Sequence, residues 1–127
     1  MLKAIHHIAI ICSDIERSKK FYTEILPFQI IREIYRQERL SWKIDLSLNH
    51  QYTIELFSFP DAPERPSFPE AQGLRHLAFE TDDIENEHAL LKSKHVAVES
   101  IRTDEYTGKK FFFFSDPDGL PLEIYQS

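Results

Sequence analysis

The chain has a single cysteine, only three glycines and no uninterrupted apolar run long enough to cross a membrane. One cysteine excludes an intrachain disulfide and is typical of a reducing compartment. So few glycines leave no glycine-rich phosphate-binding loop. The first residues lack the apolar stretch and cleavage site of a secretory signal. We therefore expect a soluble cytoplasmic protein with no membrane partner.

Positive charge is also scarce, because the formal net charge is −6 and the basic residues are scattered. Nucleic acids and anionic membranes need a concentrated positive patch, so neither is expected as the main partner. A chain of 127 residues with 42% hydrophobic residues can bury a core. The length predicts one domain, residues 1–127, or two fused half-domains.

An internal repeat is the main feature of the sequence. Identical residues recur at the same spacing in two segments: His7 and His76, Ala9 and Ala78, Asp14 and Asp83, Ile15 and Ile84, Glu16 and Glu85. Each copy begins with a histidine on an apolar strand, followed by a polar cap and a helix. We predict two repeats, about 4–59 and 74–127, joined by a proline-rich linker over 60–73.

Hydrophobic periodicity predicts the elements of each repeat. In the first repeat, strands are expected at 4–12, 28–36, 40–48 and 51–58, with a helix from the cap Ser13 to about Leu26. In the second, strands are expected from about 74, at 96–103, 109–115 and 120–126, with a helix over 84–94 capped by Asp82. Alternation in the fourth strand places Tyr52 with Ile54 and Leu56, and Glu55 on the opposite face. Each repeat therefore reads β-α-β-β-β.

Four polar residues stand out as candidate metal ligands. Glu55 follows His7, and Glu123 follows His76, at almost the same spacing, and both glutamates lie between large apolar residues. A lone ionised carboxylate on an apolar strand needs a partner or a cation. Two imidazoles and two carboxylates suit a divalent ion with open positions for substrate, such as Ni²⁺, Zn²⁺, Mn²⁺, Co²⁺ or Fe²⁺.

Each candidate also has a structural interpretation. A single histidine on an apolar strand is more often a core residue, and a single glutamate often lies on the wet face of a strand. The repeated histidine-then-glutamate pattern favours the metal site over both. His50 is expected in a turn, His88 and His95 on a helix surface, and His6 on the opposite face from His7.

These residues resemble the vicinal oxygen chelate superfamily, and within it the glyoxalase I-like proteins. The resemblance is carried by His-Ile-Ala-Ile, by His-Leu-Ala-Phe in the repeat, and by the closing Asp-Pro-Asp-Gly-x-x-x-Glu. It implies an α+β fold in which the two modules form an open, cupped sheet of eight strands around a metal. By position, the implied ligands are His7, Glu55, His76 and Glu123. A homodimer is also implied, and the site is formed either within one chain or across the dimer, where it would draw two ligands from each subunit.

The resemblance further implies a function. In glyoxalase I-like chemistry a divalent ion stabilises an enediolate while a glutamate moves a proton between adjacent carbons. Glu123 is assigned as that base, with Glu55 as its counterpart. Ring-cleaving iron dioxygenases of the superfamily typically lack a ligand at the Glu55 position, so a metal-dependent lyase or isomerase is favoured. A non-haem Fe(II) dioxygenase and a non-catalytic small-molecule binding protein are the alternatives.

The residues that would bind a glutathione-derived substrate are missing from this sequence. Glutathione-using members often carry an arginine four residues after the first histidine ligand and an asparagine four residues after the first glutamate ligand. Here Ile11 and Phe59 occupy these places. The expected substrate is therefore smaller, more apolar or linked to a different thiol.

Overall fold

The computed structural model describes all 127 residues and has eight strands, two α-helices, one π-helical turn and one 3-10 turn over Gln37–Arg39. The first module contains the strands β1 (Ile8–Cys12), β2 (Gln29–Arg36), β3 (Ser41–Leu48) and β4 (Gln51–Ser58), and the helix α1 (Ile15–Lys20), which continues as a π-turn over Phe21–Ile25. The second contains β5 (Leu77–Thr81), α2 (Ile84–Ser93), β6 (Arg102–Thr103), β7 (Lys110–Ser115) and β8 (Pro121–Gln126). The predicted α+β class and the two β-α-β-β-β modules are confirmed.

The chain divides into two compact units, Met1–Glu64 and Arg65–Ser127. The first unit has a four-stranded sheet in the order β1-β4-β3-β2, and the second has the order β5-β8-β7-β6. In both sheets the first strand pairs in parallel with the last, and the remaining pairs are antiparallel. The first and last strands of each module, which carry the candidate ligands, are therefore neighbours.

Each sheet buries one face beneath its helix. In the first unit, the buried apolar residues of the strands occupy alternating positions: Ile10, Cys12, Ile44, Leu46, Ile54 and Leu56. In the second, Phe112, Phe114, Leu122 and Ile124 do so. The intervening residues of each strand lie on the open face of the sheet, because strand side chains alternate.

Local differences from the predictions have simple causes. The helix caps are Asp14 and Asp83, whose carboxylates accept from the amides of Arg17 and Asn86. The predicted caps, Ser13 and Asp82, each lie one residue too early. The predicted strand at 96–103 is mostly irregular, since only residues 102–103 pair with β7 in register. No helix is both long and apolar enough to cross a membrane.

Candidate functional site

The first candidate pair forms where β1 begins beside β4. Ala9 of β1 lies opposite Glu55 of β4, and His7, two residues earlier, shares the open face of the sheet. The His7 Nε2 atom lies 3.4 Å from a carboxylate oxygen of Glu55. The Glu55 side chain is 11% exposed, whereas His7 is 38% exposed. A nearly buried carboxylate therefore faces an accessible imidazole.

The second pair repeats this arrangement in the other unit. Ala78 of β5 lies opposite Glu123 of β8, as Ala9 lies opposite Glu55. The His76 Nε2 atom lies 3.6 Å from a Glu123 oxygen, and the side-chain exposures are 31% and 13%. The equivalence expected from the sequence repeat extends to the geometry of each pair.

The spacing within each pair is close to that of two ligands on one divalent ion. An N–H···O hydrogen bond spans about 2.7–3.2 Å, so separations of 3.4 and 3.6 Å are long for one. Two ligand atoms each about 2.1 Å from one ion lie roughly 3.0–3.4 Å apart in octahedral or tetrahedral geometry, and the second pair lies about 0.2 Å beyond this range. Imidazole nitrogen with carboxylate oxygen is also a donor set that suits Zn²⁺, Ni²⁺ and Co²⁺. The residues present therefore fit such an ion.

The structure brings the four predicted ligands together as two pairs. His7 meets Glu55, and His76 meets Glu123. No group of three or more His, Cys, Asp or Glu side chains in the chain is arranged to hold a metal ion. The complete four-ligand set thus stays a prediction.

Different contacts orient the two histidines. The Nδ1 atom of His7 hydrogen bonds with Nδ1 of His6 at 2.8 Å, which turns Nε2 toward Glu55. Partners of this kind fix the ring orientation of metal-binding histidines. His76 has no such partner, because its Nδ1 atom is buried without a hydrogen bond. It packs edge-on against Phe113 instead, with ring centroids 5.0 Å apart. Sequence alternation alone did not indicate a role for His6.

A polar network surrounds Glu55 in the first unit. The Tyr52 hydroxyl donates to a Glu55 oxygen at 2.5 Å, and Lys43 Nζ lies 3.7 Å from the same oxygen. Lys43 also donates to Asp45 at 2.8 Å, and Arg32 donates to the other Asp45 oxygen through Nε. Asp45 itself is fully buried. The Glu55 carboxylate is therefore held by the Tyr52 hydroxyl and lies near the Lys43 ammonium group.

Protonation in this network follows from burial and contacts. Burial and the hydrogen bond to Glu55 raise the pKa of Tyr52, so its hydroxyl stays a donor. Burial is the largest single influence on Asp45 and raises its pKa, but the hydrogen bonds from Lys43, Tyr52 and Arg32 together outweigh it. The pKa of Asp45 consequently lies below its usual value, and the residue is an anion.

Two β-bulges create this network. In β2, Ile30 lies opposite Leu46 but Arg32 lies opposite Asp45, so Ile31 is an extra residue. In β4, Ile54 lies opposite Leu46 but Tyr52 lies opposite Ser47, so Thr53 is an extra residue. Each bulge moves the following side chain to the other face of the sheet. The prediction that Tyr52 shares a face with Ile54 is therefore wrong.

The second unit places aromatic rings where the first has charges. Phe113 lies opposite Glu123 as Asp45 lies opposite Glu55. Arg102 stacks over Phe111 at 4.8 Å and donates to Glu99 at 2.9 Å. No register shift interrupts the ladders of this sheet. Phe111 and Phe113 are of intermediate exposure, whereas Phe112 and Phe114 are buried.

A cavity of about 860 Å³ lies over the open face of the second sheet. Its lining includes His76, Arg102 and Phe113, together with residues of the segment from Arg65 to Arg75. Arg65 fixes that segment by donating to the carbonyl oxygens of Leu74 and Arg75. The volume suits a small organic molecule next to the second His–Glu pair.

The remaining candidates have structural roles. His50 lies in the tight turn between β3 and β4 with positive φ, as Asn49 does. The His88 ring contacts Phe112 and hydrogen bonds with the Glu99 carbonyl. His95 follows α2 with a φ of 63°, which is a helix C-terminal conformation. Cys12 is buried.

The metal-free protein should show the buried state of Glu123 in its pH dependence. Burial raises the pKa of Glu123, and the nearby His76 only partly opposes this. Between the pKa of Glu123 in the unfolded state and its higher pKa in the folded state, the folded protein holds a proton that the unfolded protein has released. The free energy of unfolding therefore falls as pH rises through this interval. Glu123→Gln should remove this slope in chemical denaturation at a series of pH values. Identical slopes in both proteins would contradict the assignment.

The chain is similar to known proteins along almost its whole length. The family described as Glyoxalase/Bleomycin resistance protein/Dioxygenase superfamily matches residues 4–124. The protein YaeR of Escherichia coli is 62% identical over 125 residues, covering 98% of this chain and 97% of YaeR. The crystal structure of a glyoxalase family protein from Enterococcus faecalis has a TM-score of 0.90 at 48% identity, with 97% of both chains covered. Metallothiol transferase FosB of Staphylococcus saprophyticus is 29% identical, covering 98% of this chain and 78% of FosB.

Proposed function

The chain belongs to the Glyoxalase/Bleomycin resistance protein/Dioxygenase superfamily, and from this premise we propose that it is a divalent-metal-dependent lyase or isomerase of glyoxalase I type. The observation that carries the proposal is the pair of equivalent His–Glu arrangements, His7 with Glu55 and His76 with Glu123. Each supplies one nitrogen and one oxygen donor at a spacing that fits a common ion. The substrate would be a small molecule with two neighbouring oxygens.

The proposed ion would supply Lewis-acid stabilisation of negative charge on the substrate oxygens. The protein supplies the proton transfer. Glu123 is the better base of the two glutamates, because burial raises its pKa and no hydrogen bond holds its carboxylate. Glu55 accepts from Tyr52 and lies near Lys43, so it is less free to move. Glu123 would take a proton from one substrate carbon and return it to the adjacent carbon.

The set of two carboxylates and two imidazoles favours this chemistry over ring cleavage. An iron dioxygenase of this superfamily would need only His7, His76 and Glu123 by the resemblance. Glu55 would then be expected to face solvent, without specific polar contacts. Instead it is nearly buried, paired with His7 and anchored by Tyr52. These contacts support a functional role for the fourth position.

Two successive experiments test the proposal. Elemental analysis of the purified protein should find roughly one divalent ion per four-ligand site. The metal-loaded protein should then convert 2-oxoaldehydes in the presence of one of several thiols, with no oxygen uptake. A folded protein that binds none of Ni²⁺, Zn²⁺, Mn²⁺, Co²⁺ and Fe²⁺ would refute the proposal. Oxygen uptake with Fe²⁺ and a catechol would instead favour the dioxygenase.

We further propose that the protein acts as a homodimer with sites shared between subunits. Apolar side chains on β2 and its neighbour β3 are about 40% exposed: Ile30, Ile31, Ile34, Tyr35 and Trp42. The residues on β2 lie on both faces of this strand, which is the outer strand of its sheet, and an exposed apolar edge strand is a typical place for another chain to associate. One site would take His7 and Glu55 from one subunit and the second pair from its partner.

Mixing inactive variants tests this arrangement. A variant with His7→Ala and Glu55→Ala lacks the first pair, and one with His76→Ala and Glu123→Ala lacks the second. Mixed dimers with shared sites contain one intact site, so a random mixture should regain roughly a quarter of the original activity. The measurement is turnover after joint refolding of equal amounts. Sites formed within single chains would give no recovery, because every site would keep one defective pair.

A further inference from the structure

We propose that Arg32 and Lys43 form an anion-binding subsite beside Glu55, which takes a carboxylate or phosphonate group of the substrate. The subsite lies entirely in the first unit and consists of Arg32, Lys43 and the buried Asp45 that holds both cations. That its ligand is the substrate rests on the proposed function, whereas its affinity for oxyanions does not.

The position of Asp45 explains how the two cations are held. This carboxylate is fully buried, and burying an unpaired carboxylate is costly. Its two oxygens accept from different partners, one from Arg32 and the other from Lys43. Both cations are therefore fixed next to each other on the open face of the sheet. A ligand would meet them already oriented, which lowers the entropic cost of binding.

The two cations of the subsite outnumber its one carboxylate, because Glu55 has other partners. Arg32 and Lys43 carry two positive charges, and Asp45 carries one negative charge. The other nearby carboxylate, Glu55, lies 3.7 Å from Lys43 and is paired with His7 and Tyr52. Because His7 and Tyr52 engage Glu55, Arg32 forms an ion pair with no carboxylate besides Asp45.

Arg32 offers the donors for such an anion. It contacts Asp45 through Nε, and its Nη groups make no ion pair. The side chain is 54% exposed although its anchor is completely buried. The planar guanidinium fork matches two oxygens of a carboxylate or phosphonate. Its free edge is therefore available to a ligand.

The β-bulge at Ile31 argues that Arg32 has a specific role. If the same sequence paired with β3 in regular register, Arg32 would lie opposite Ile44, on the face that packs beneath the helix. Bulges interrupt the ladder and are found near active sites, where they redirect a side chain. The second sheet, which has the same fold, has no bulge and has Phe113 in place of Asp45. The cluster is therefore not a requirement of the module.

Anion titration of the metal-free protein tests the subsite. Inorganic phosphate and acetate serve as probes, at constant ionic strength set with sodium chloride, and binding is followed by calorimetry. Arg32→Gln should weaken binding of the better probe by roughly tenfold or more, because charge-assisted hydrogen bonds are lost. Arg39→Gln is the matched control, since Arg39 is exposed in the short 3-10 turn between β2 and β3 and makes no ion pair. The control should bind like the original protein.

A second variant covers the possibility that Arg32→Gln fails to fold. Arg32→Lys keeps the charge beside Asp45 but loses the planar fork, so it should bind more weakly than the original protein and more tightly than the glutamine variant. The preferred probe identifies the chemical class, carboxylate or phosphonate. Equal affinity in Arg32→Lys and the original protein, or no saturable binding by the latter, would overturn the proposal.

Metal titration separates this inference from the proposed function. Arg32 does not belong to either His–Glu pair and reaches Glu55 only through Asp45 and Lys43, so Arg32→Gln should weaken Co²⁺ binding much less than it weakens anion binding. A protein that binds phosphate through Arg32 but binds no metal would refute the proposed function alone. A protein that binds metal but shows no effect of Arg32 on anions would refute the subsite alone.

Discussion

Replacing His76 by alanine is expected to abolish both metal binding and turnover. The imidazole provides the nitrogen donor of the second pair, 3.6 Å from Glu123. Loss of partners that merely orient a metal ligand typically costs 10–100-fold in affinity, so loss of a ligand should cost more than about 100-fold. Titration with Co²⁺ under competition from a chelator measures this, and His7→Ala should behave in the same way by the equivalence of the two pairs.

His95→Ala is the matched control for these substitutions. His95 follows α2 and makes no contact with either pair. Its variant should keep full metal content and turnover. Circular dichroism should show that His76→Ala remains folded, because the ring is partly exposed and its Nδ1 atom makes no hydrogen bond. Normal metal affinity in folded His76→Ala would remove the basis of the proposed chemistry.

Replacing Glu123 by glutamine should produce the second large effect. If Glu123 is the base, its loss should lower kcat by roughly 10²–10⁴-fold, which is the usual contribution of general base catalysis. Glutamine keeps the size and one oxygen of the side chain, so metal affinity should fall much less than in His76→Ala. The measurements are kcat on the best 2-oxoaldehyde and thiol pair, and metal content of the same sample.

Glu55→Gln is the informative partner of that variant. Glu55 is held by Tyr52 and faces His7, so we expect its loss to weaken metal binding and lower kcat, but less than Glu123→Gln does. A dioxygenase would instead tolerate Glu55→Gln with activity largely intact. A larger loss of kcat in Glu55→Gln than in Glu123→Gln would reverse the assignment of the base.

The repeat made much of this structure predictable from sequence. Matching histidines and glutamates identified strands that become neighbours, since the first and last strands of each module pair in parallel. Alternation then correctly placed Ile54 and Leu56 in the core and Glu55 on the open face. These results follow from a strict period of two, which holds wherever a strand is regular.

The network around Glu55 could not be predicted in the same way. Alternation places Tyr52 with the core residues, and a bulge at Thr53 reverses that placement. Arg32 reaches Asp45 only through the bulge at Ile31. Neither extra residue is a glycine or proline, so no local sequence feature marks the bulge. The helix caps were misplaced for a simpler reason, because Ser13 and Asp14 are both good capping residues and only the backbone conformation distinguishes them.

The bulges have a consequence for how the two halves, and related chains, should be compared. One added residue changes which side chains are presented to a ligand while every core side chain keeps its place. Differences in chemistry between duplicated modules can therefore arise from strand length as well as from substitution. An alignment without gaps in β2 and β4 would pair residues that point in opposite directions. Corresponding residues are better identified by their partners on the adjacent strand. By this criterion Asp45, opposite Glu55, corresponds to Phe113, opposite Glu123.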